Sequence, residues 1–344
     1  MGAVMALELG LDTFGDVTHG ADGLPQHQAQ VIREVVEQGV MADQAGVDVI
    51  SLGEHHRADF AISSPETVLA AIAARTERIR LGSGVTVLSS DDPIRVFQRF
   101  STLDAISGGR AEVIVGRGSF IESFPLFGHN LDDYERLFEE KLDLFTHLIR
   151  APRVTWTGTI HPGLHDQPVY PPIATPLKTW IGVGGSPESV IRAARYNLPL
   201  MLAIIGGSAT RFRPFVDLYH RAHAQAGTTP QPIGVHSPGH VARSDALARE
   251  QYWPGYKVMH DTIGRERGWP PMQPADFARE VAHGAMYVGS PETVARKIAD
   301  TVQALGLSRF QLKYSAGPVA HAHSMEAIRL YGTRVMPMVR DMLG

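Results

Sequence analysis

Three short segments hold residue types that can do chemistry: Glu54-His55-His56-Arg57, Gly116-Arg117-Gly118-Ser119 and Gly184-Gly185-Ser186-Pro187. Adjacent side chains of an extended strand point to opposite sides, so His55 and His56 cannot both face one interior point. That spacing disfavours a metal pair, which wants His-x-His on a strand or His-x-x-x-His on a helix, and no His-Glu-x-x-His occurs. One histidine aimed at a site can serve as acid, base or hydrogen-bond donor near neutral pH. A structural His–Glu cluster at a strand end would use the same residues. Arg117 lies between two glycines, where the backbone can approach an anion and the guanidinium can grip phosphate in bidentate fashion. A surface ion pair is its plainer explanation. Gly184-Gly185-Ser186-Pro187 joins a flexible turn to a helix start, whose free N–H groups favour an anion. Alone it is a helix cap. Together at one rim, the arginine and the turn point to a phosphorylated ligand.

Those segments need elements to place them. Short β-branched runs alternate with amphipathic helical stretches along the chain, and the runs begin near Leu7, Val47, Ile79, Ala111, Thr179, Leu198, Ile233 and Arg309. Gly46 stops the first helix as a C-cap glycine does. Repeated strand–helix units require a parallel sheet, and eight of them favour closure into a (β/α)8 TIM barrel, an α/β fold. An open doubly wound sheet would want Gly-x-Gly-x-x-Gly after the first strand, and Asp12-Thr13-Phe14-Gly15-Asp16-Val17 stands there instead. One domain is expected over residues 1–344, with insertions at about 151–178 and 265–288 where prolines and glycines break the rhythm. In a barrel the C-terminal strand ends carry function, and all three chemical segments fall there.

Composition narrows the partners. The 344 residues are 44% hydrophobic and 20% charged, with a formal net charge of -4 and no Cys. The core can be sizeable. There is no basic footprint for nucleic acid or an anionic membrane. Thiolate nucleophiles, disulfides and Cys-held metals are excluded. The start is too short and too soon acidic for a secretory signal, and no apolar run reaches membrane length, so a cytoplasmic globular protein is expected.

Read in order, Glu54-His55-His56, then Leu81-Gly82-Ser83-Gly84-Val85-Thr86-Val87-Leu88 with Pro93 after it, then Val115-Gly116-Arg117-Gly118, resemble the bacterial luciferase-like flavin-dependent monooxygenases. The likeness extends through Gly184-Gly185-Ser186-Pro187 and Gly289-Ser290-Pro291-Glu292-Thr293-Val294 and covers nearly the whole chain. It implies FMN at the barrel mouth, its phosphate held by Arg117 and the turn Gly184-Gly185-Ser186. It implies His55 near the reactive face of the flavin with Glu54 beside it, and a non-proline cis peptide at Gly84–Val85 shaping the cofactor site. It also implies a homodimer, O2 and a small-molecule substrate. With no nicotinamide motif visible, reduced FMN would come from a partner flavin reductase.

The resemblance favours Ser186 over Ser290 as the phosphate turn, against the general habit of barrels to use the loops after strands seven and eight. It leaves the deazaflavin F420 as an alternative cofactor for hydride transfer. A flavin-binding protein without catalysis is the alternative of another class, and a metal-dependent barrel hydrolase is disfavoured by the histidine spacing. Gly185 stands where some luciferase subunits carry an acidic residue, which together with the lack of Cys argues against long-chain aldehydes and light emission. Residues 265–288, long and Pro-rich, are the expected lid.

Overall fold

A computed structural model describes residues 6–19, 24–173 and 175–344. Eight strands form the barrel: β1 (Glu8–Thr13), β2 (Val49–Leu52), β3 (Arg80–Ser83), β4 (Ala111–Gly116), β5 (Lys178–Val183), β6 (Leu200–Ala203), β7 (Ile233–Val241) and β8 (Arg309–Lys313). Each pairs in parallel with the next, and β8 pairs with β1, so the sheet closes. All eight begin within three residues of the positions read from the sequence, and the open-sheet rival is excluded.

Strand alternation sorts the side chains. Leu9, Leu11, Ile50, Val113, Ile181 and Phe310 point outward and are buried against the surrounding helices. The inward set is different in kind. At the N-terminal end of the barrel, Arg309 bonds both oxygens of Glu112 and also reaches Glu8, at 2.6 Å, while Lys178 bonds Glu8 at 3.0 Å. Burial alone would raise the Glu8 and Glu112 carboxyls, and Arg309 overrides it to hold both below the ordinary range. Above this ionic floor lie Ile114, Trp180 and Met201, with Val85 packed on them. The barrel is therefore plugged below and in the middle, leaving only its C-terminal mouth for chemistry.

The two irregular stretches resolve differently. Arg153–Trp156 pairs antiparallel with Leu164–Pro168, making the first a hairpin insertion. The second is not a long structureless lid. Helix Asp245–Arg267 runs into it, helix Pro274–His283 and strand Tyr287–Gly289 fill most of it, and that strand pairs with the end of β7. Met272, Phe277, Val281 and Val288 are buried with Tyr252 and Tyr256 in a second apolar cluster. Only residues 268–273 and 284–286 lack regular structure, so most of this segment buttresses the mouth. Among the described residues no helix is long and apolar enough to cross a membrane.

Candidate active site

Val49 and Ser51 of β2 face the barrel interior, and the same parity carries past Leu52 to Gly53 and His55. Gly53 is required: a Cβ there would lie 2.3 Å from a ring carbon of Phe14. The close approach lets Phe14 lie against the His55 ring, with centroids 4.3 Å apart. Phe60 and Phe120 complete the surround at 4.6 Å and 5.2 Å. The His55 N–H donates to the Ile62 carbonyl at 2.9 Å, closing a short loop that presents the ring. Burial, aided by the nearby Lys313 charge, pushes the His55 imidazolium pKa down to about 3. His55 is therefore a neutral imidazole at physiological pH, able to give or take a hydrogen bond but carrying no charge.

Glu54 points elsewhere. Its carboxylate accepts from the Val87 N–H at 2.8 Å and pairs with His56 Nε2 at 2.9 Å. It thereby ties β2 to the segment that follows the Gly84–Val85 peptide, which is cis. Glu54 and His56 are thus paired with each other, while the His55 ring lies among Phe14, Phe60 and Phe120. Gly116 and Gly182 make room for the Val85 side chain, since a Cβ at either would come within 2.8 Å of it. A cleft of about 290 Å³ opens on the flank of the 55–63 loop, lined by Gln28, His55, Arg57 and Leu126. It does not reach Arg117 or Ser186.

Those two sit on neighbouring strands. Arg117 follows β4, lies over the Tyr134 ring and pairs with Glu135. Ser186 follows β5 and caps helix Pro187–Arg195, its hydroxyl oxygen accepting from the Ser189 N–H. Glu135 joins the two sides, because its other oxygen bonds Arg192 of that helix at 3.1 Å. The exposed Glu188 carboxylate folds back on the Ser186 hydroxyl at 2.8 Å. It is held below its ordinary range by its own helix-start N–H, by that hydroxyl and by the Arg117 and Arg192 charges. A Cβ built on Gly184 or Gly185 would meet nothing within 4 Å, and Gly185 has φ +119. The rim is thus an open cradle with two guanidiniums and a helix N-terminus, a donor set that suits one phosphate group. The second Gly-Ser-Pro-Glu turn differs. Asp245 accepts from the Ser290 N–H at 2.7 Å and from the Thr293 hydroxyl at 3.1 Å, so a partly buried carboxylate of the chain itself already fills the anion position.

Residues 13–309 match the family described as luciferase-like monooxygenase. The chain belongs to that family. Among curated relatives it is 35% identical over 158 residues to 4-hydroxyprotoasukamycin monooxygenase of Streptomyces nodosus subsp. asukaensis, which covers 45% of this chain and 43% of that protein. The chain matches about half the length or less of such relatives. Solved structures superpose over more of it. Monooxygenase RslO1 from Streptomyces bottropensis gives a TM-score of 0.82 at 24% identity, over 96% of this chain and 99% of that one. The oxygenating constituent of 3,6-diketocamphane monooxygenase from Pseudomonas putida, in complex with FMN, gives 0.78 at 20%, over 97% and 99%. A coenzyme F420-dependent tetrahydromethanopterin reductase from Methanopyrus kandleri gives 0.69 at 17%, over 96% and 99%.

This luciferase-like mouth also contains groups that sequence reasoning passed over. Arg57, read only as part of a motif, pairs with Asp59 at 3.1 Å, with Glu122, and with Glu266 at 2.6 Å. The Arg57 and Arg267 guanidiniums lie over the Phe120 ring at 4.6 Å and 5.0 Å, so Phe120 is clamped above His55. On the β1–β8 side Lys313 pairs with Asp16 at 3.1 Å, and His236 of β7 bonds Asp12 of β1 at 2.7 Å. Arg192 and Tyr134 join the Arg117 rim from helices. The parity of Asp12 and Lys313 within their strands marks them as inward; nothing in the sequence marks Arg192 or Tyr134.

Proposed function

We propose that this protein is a flavin-dependent monooxygenase that uses reduced FMN and O2 on a small organic substrate. The observation that carries the proposal is the open cradle of Arg117, Arg192 and Gly184-Gly185-Ser186, set on β4 and β5 beside the mouth that His55 faces. Its donors match a single terminal phosphate, as FMN has. Glu135 and Glu188, both exposed, would swing aside for it. Reduced FMN, when bound, supplies the electrons that activate oxygen, and that chemistry belongs to the cofactor.

The chain's own part is placement and exclusion. Arg117 and the Ser186 helix start hold the phosphate end. Val85, wedged against Gly116 and Gly182, shapes the floor on which a flat ring system would rest. Phe14, Phe60 and Phe120 give the His55 ring an apolar surround. His55, neutral, offers a hydrogen bond without adding charge, and Glu54 positions it by holding the adjoining loop. A flavin reductase partner and a homodimer belong to the same reading. The test supplies FMN, NADH and a flavin reductase under 18O2 with a panel of small organic compounds. The proposal expects one 18O atom in product from a substrate in that panel. Oxygen converted wholly to peroxide for every compound, or hydride transfer from reduced F420 with none from FMN, would overturn it.

A further inference from the structure

Strands β1 and β7 are not neighbours, because β8 lies between them. The 2.7 Å bond from His236 Nδ1 to Asp12 Oδ2 must therefore cross the inside of the barrel. Asp12 and His236 belong to odd-numbered strands, as members of one interior layer do. Asp12 is 1% exposed and its Oδ1 has no hydrogen-bond partner. The carboxylate fixes the imidazole tautomer: Nδ1–H donates to Asp12, which leaves Nε2 as an acceptor. Nε2 is not sealed in the interior, and the His236 side chain keeps 13% of its surface exposed. The ring lies nearly parallel to Phe14, with an interplanar angle of 12° and centroids 6.1 Å apart, and Phe14 also meets His55.

We infer that Asp12 and His236 form a proton-accepting dyad for a hydroxyl-bearing substrate, such as a phenol, an inference that rests on the monooxygenase reading for its role in turnover. The chemistry at this end of the mouth is one-sided. His236 Nε2 is an acceptor, Asp12 Oδ1 is a bare buried acceptor, and Phe14 supplies an apolar face. A ketone, ether or hydrocarbon has no proton to offer Nε2, whereas a hydroxyl does. In the step itself the substrate O–H bond breaks, its electron pair stays on oxygen, and the proton bonds to Nε2. The resulting imidazolium sits against an ionised Asp12 whose second oxygen bonds nothing else, as the orienting carboxylate of a catalytic triad does. Other titratable or charged groups around the dyad are buried Tyr252, Tyr314 and Tyr331, whose phenols feel the Asp12 charge, and, against Phe14, His55 and Lys313, the latter bound to Asp16. Asp12 is a positioning residue, acting through His236.

The probe is 4-nitrophenol, which turns yellow on losing its proton, with 4-nitroanisole as the analogue that has none to lose. On the full-length protein, titration of the bound probe should show its ionisation shifted to lower pH by about one unit, tenfold in the constant. His236→Gln should abolish the shift, and Asp12→Asn should do the same while keeping the shape of the site. The second variant carries the test if the first does not fold, as thermal melting reports. Nitroanisole should bind at least tenfold more weakly. An unchanged shift in Asp12→Asn, or equal binding of the two probes, would overturn the dyad. Because the probe needs no flavin, failure of FMN to bind would sink the monooxygenase reading while leaving the nitrophenol result to decide the dyad.

Discussion

His55 is a histidine that its surroundings keep uncharged. Three phenyl rings give it no ionic partner, and burial with the Lys313 charge holds its pKa near 3. His240, buried and stacked on Tyr252, is likewise lowered to about 4. Between the unfolded value of 6.5 and these folded values, the unfolded chain binds protons that the folded one refuses. Stability is therefore full above about pH 6.5 and falls as pH drops toward 4. Histidine NMR resonances should show His55 untitrated at pH 5, and His55→Gln should flatten the acid limb of a melting-temperature profile. A normal titration near 6.5 would contradict the burial argument. In turnover, His55→Ala should lower coupled product by about 10²–10⁴-fold with FMN affinity nearly intact. His56→Ala, cutting the tie to Glu54, should act on stability first. At the Arg117 rim, Arg117→Ala should weaken reduced FMN binding by roughly ten- to a hundredfold, as loss of a charge-assisted bond does. Ser186→Ala should cost only several-fold and Ser290→Ala nothing, since Asp245 already occupies the second turn. A larger effect at Ser290 would move the phosphate there.

At the scale of elements, the covering of the mouth comes from two unexpected places. The segment after β4 brings Phe120 over His55, and the end of helix Asp245–Arg267 brings Glu266 and Arg267 to meet it. Arg57 holds both through Glu122 and Glu266. Arg57→Gln should free them, and trypsin should then cut faster at Arg265 or Arg267 with far-UV circular dichroism unchanged. High salt should mimic the substitution in the wild type, because Glu266 is half exposed and its pair is screened. An unchanged cutting rate would mean that the apolar contacts of Phe120 suffice. Barrel strands were readable because each is a β-branched or apolar run followed by a helix with clear stop or start residues, such as Gly46 and Pro187. Residues 265–288 were not, since Trp269-Pro270-Pro271 interrupts the pattern and helix Pro274–His283 has no side-chain cap at Gln273. Adjacent residues share a motif but not a face: Glu54 pairs with His56, and His55 turns to the phenyl rings.

Across the whole molecule, polarity divides the barrel along its axis. The Arg309–Glu112–Glu8–Lys178 floor is a buried ionic network with no route to the mouth, so its role is structural. Removing one partner leaves an uncompensated charge: Glu112→Gln should lower stability by about 3–5 kcal/mol, read as a urea midpoint shift at unchanged slope. A shift under 1 kcal/mol would show that Glu8 alone satisfies Arg309. The mouth is divided in turn, with the Arg117 and Ser186 cradle after β4 and β5, His55 after β2, and the Asp-paired side chains of Lys313 and His236 on β8 and β7. That layout asks for a ligand with one anionic end and a flat body reaching across the barrel. The decisive measurement is an anaerobic titration of the wild-type protein and Arg117→Ala with reduced FMN, reduced F420 and NADPH in parallel. The account predicts saturable binding of reduced FMN at one site per chain, weakened at least tenfold in the variant, with F420 and NADPH much weaker. Tight binding of F420 or NADPH without FMN, or FMN binding indifferent to Arg117, would contradict it.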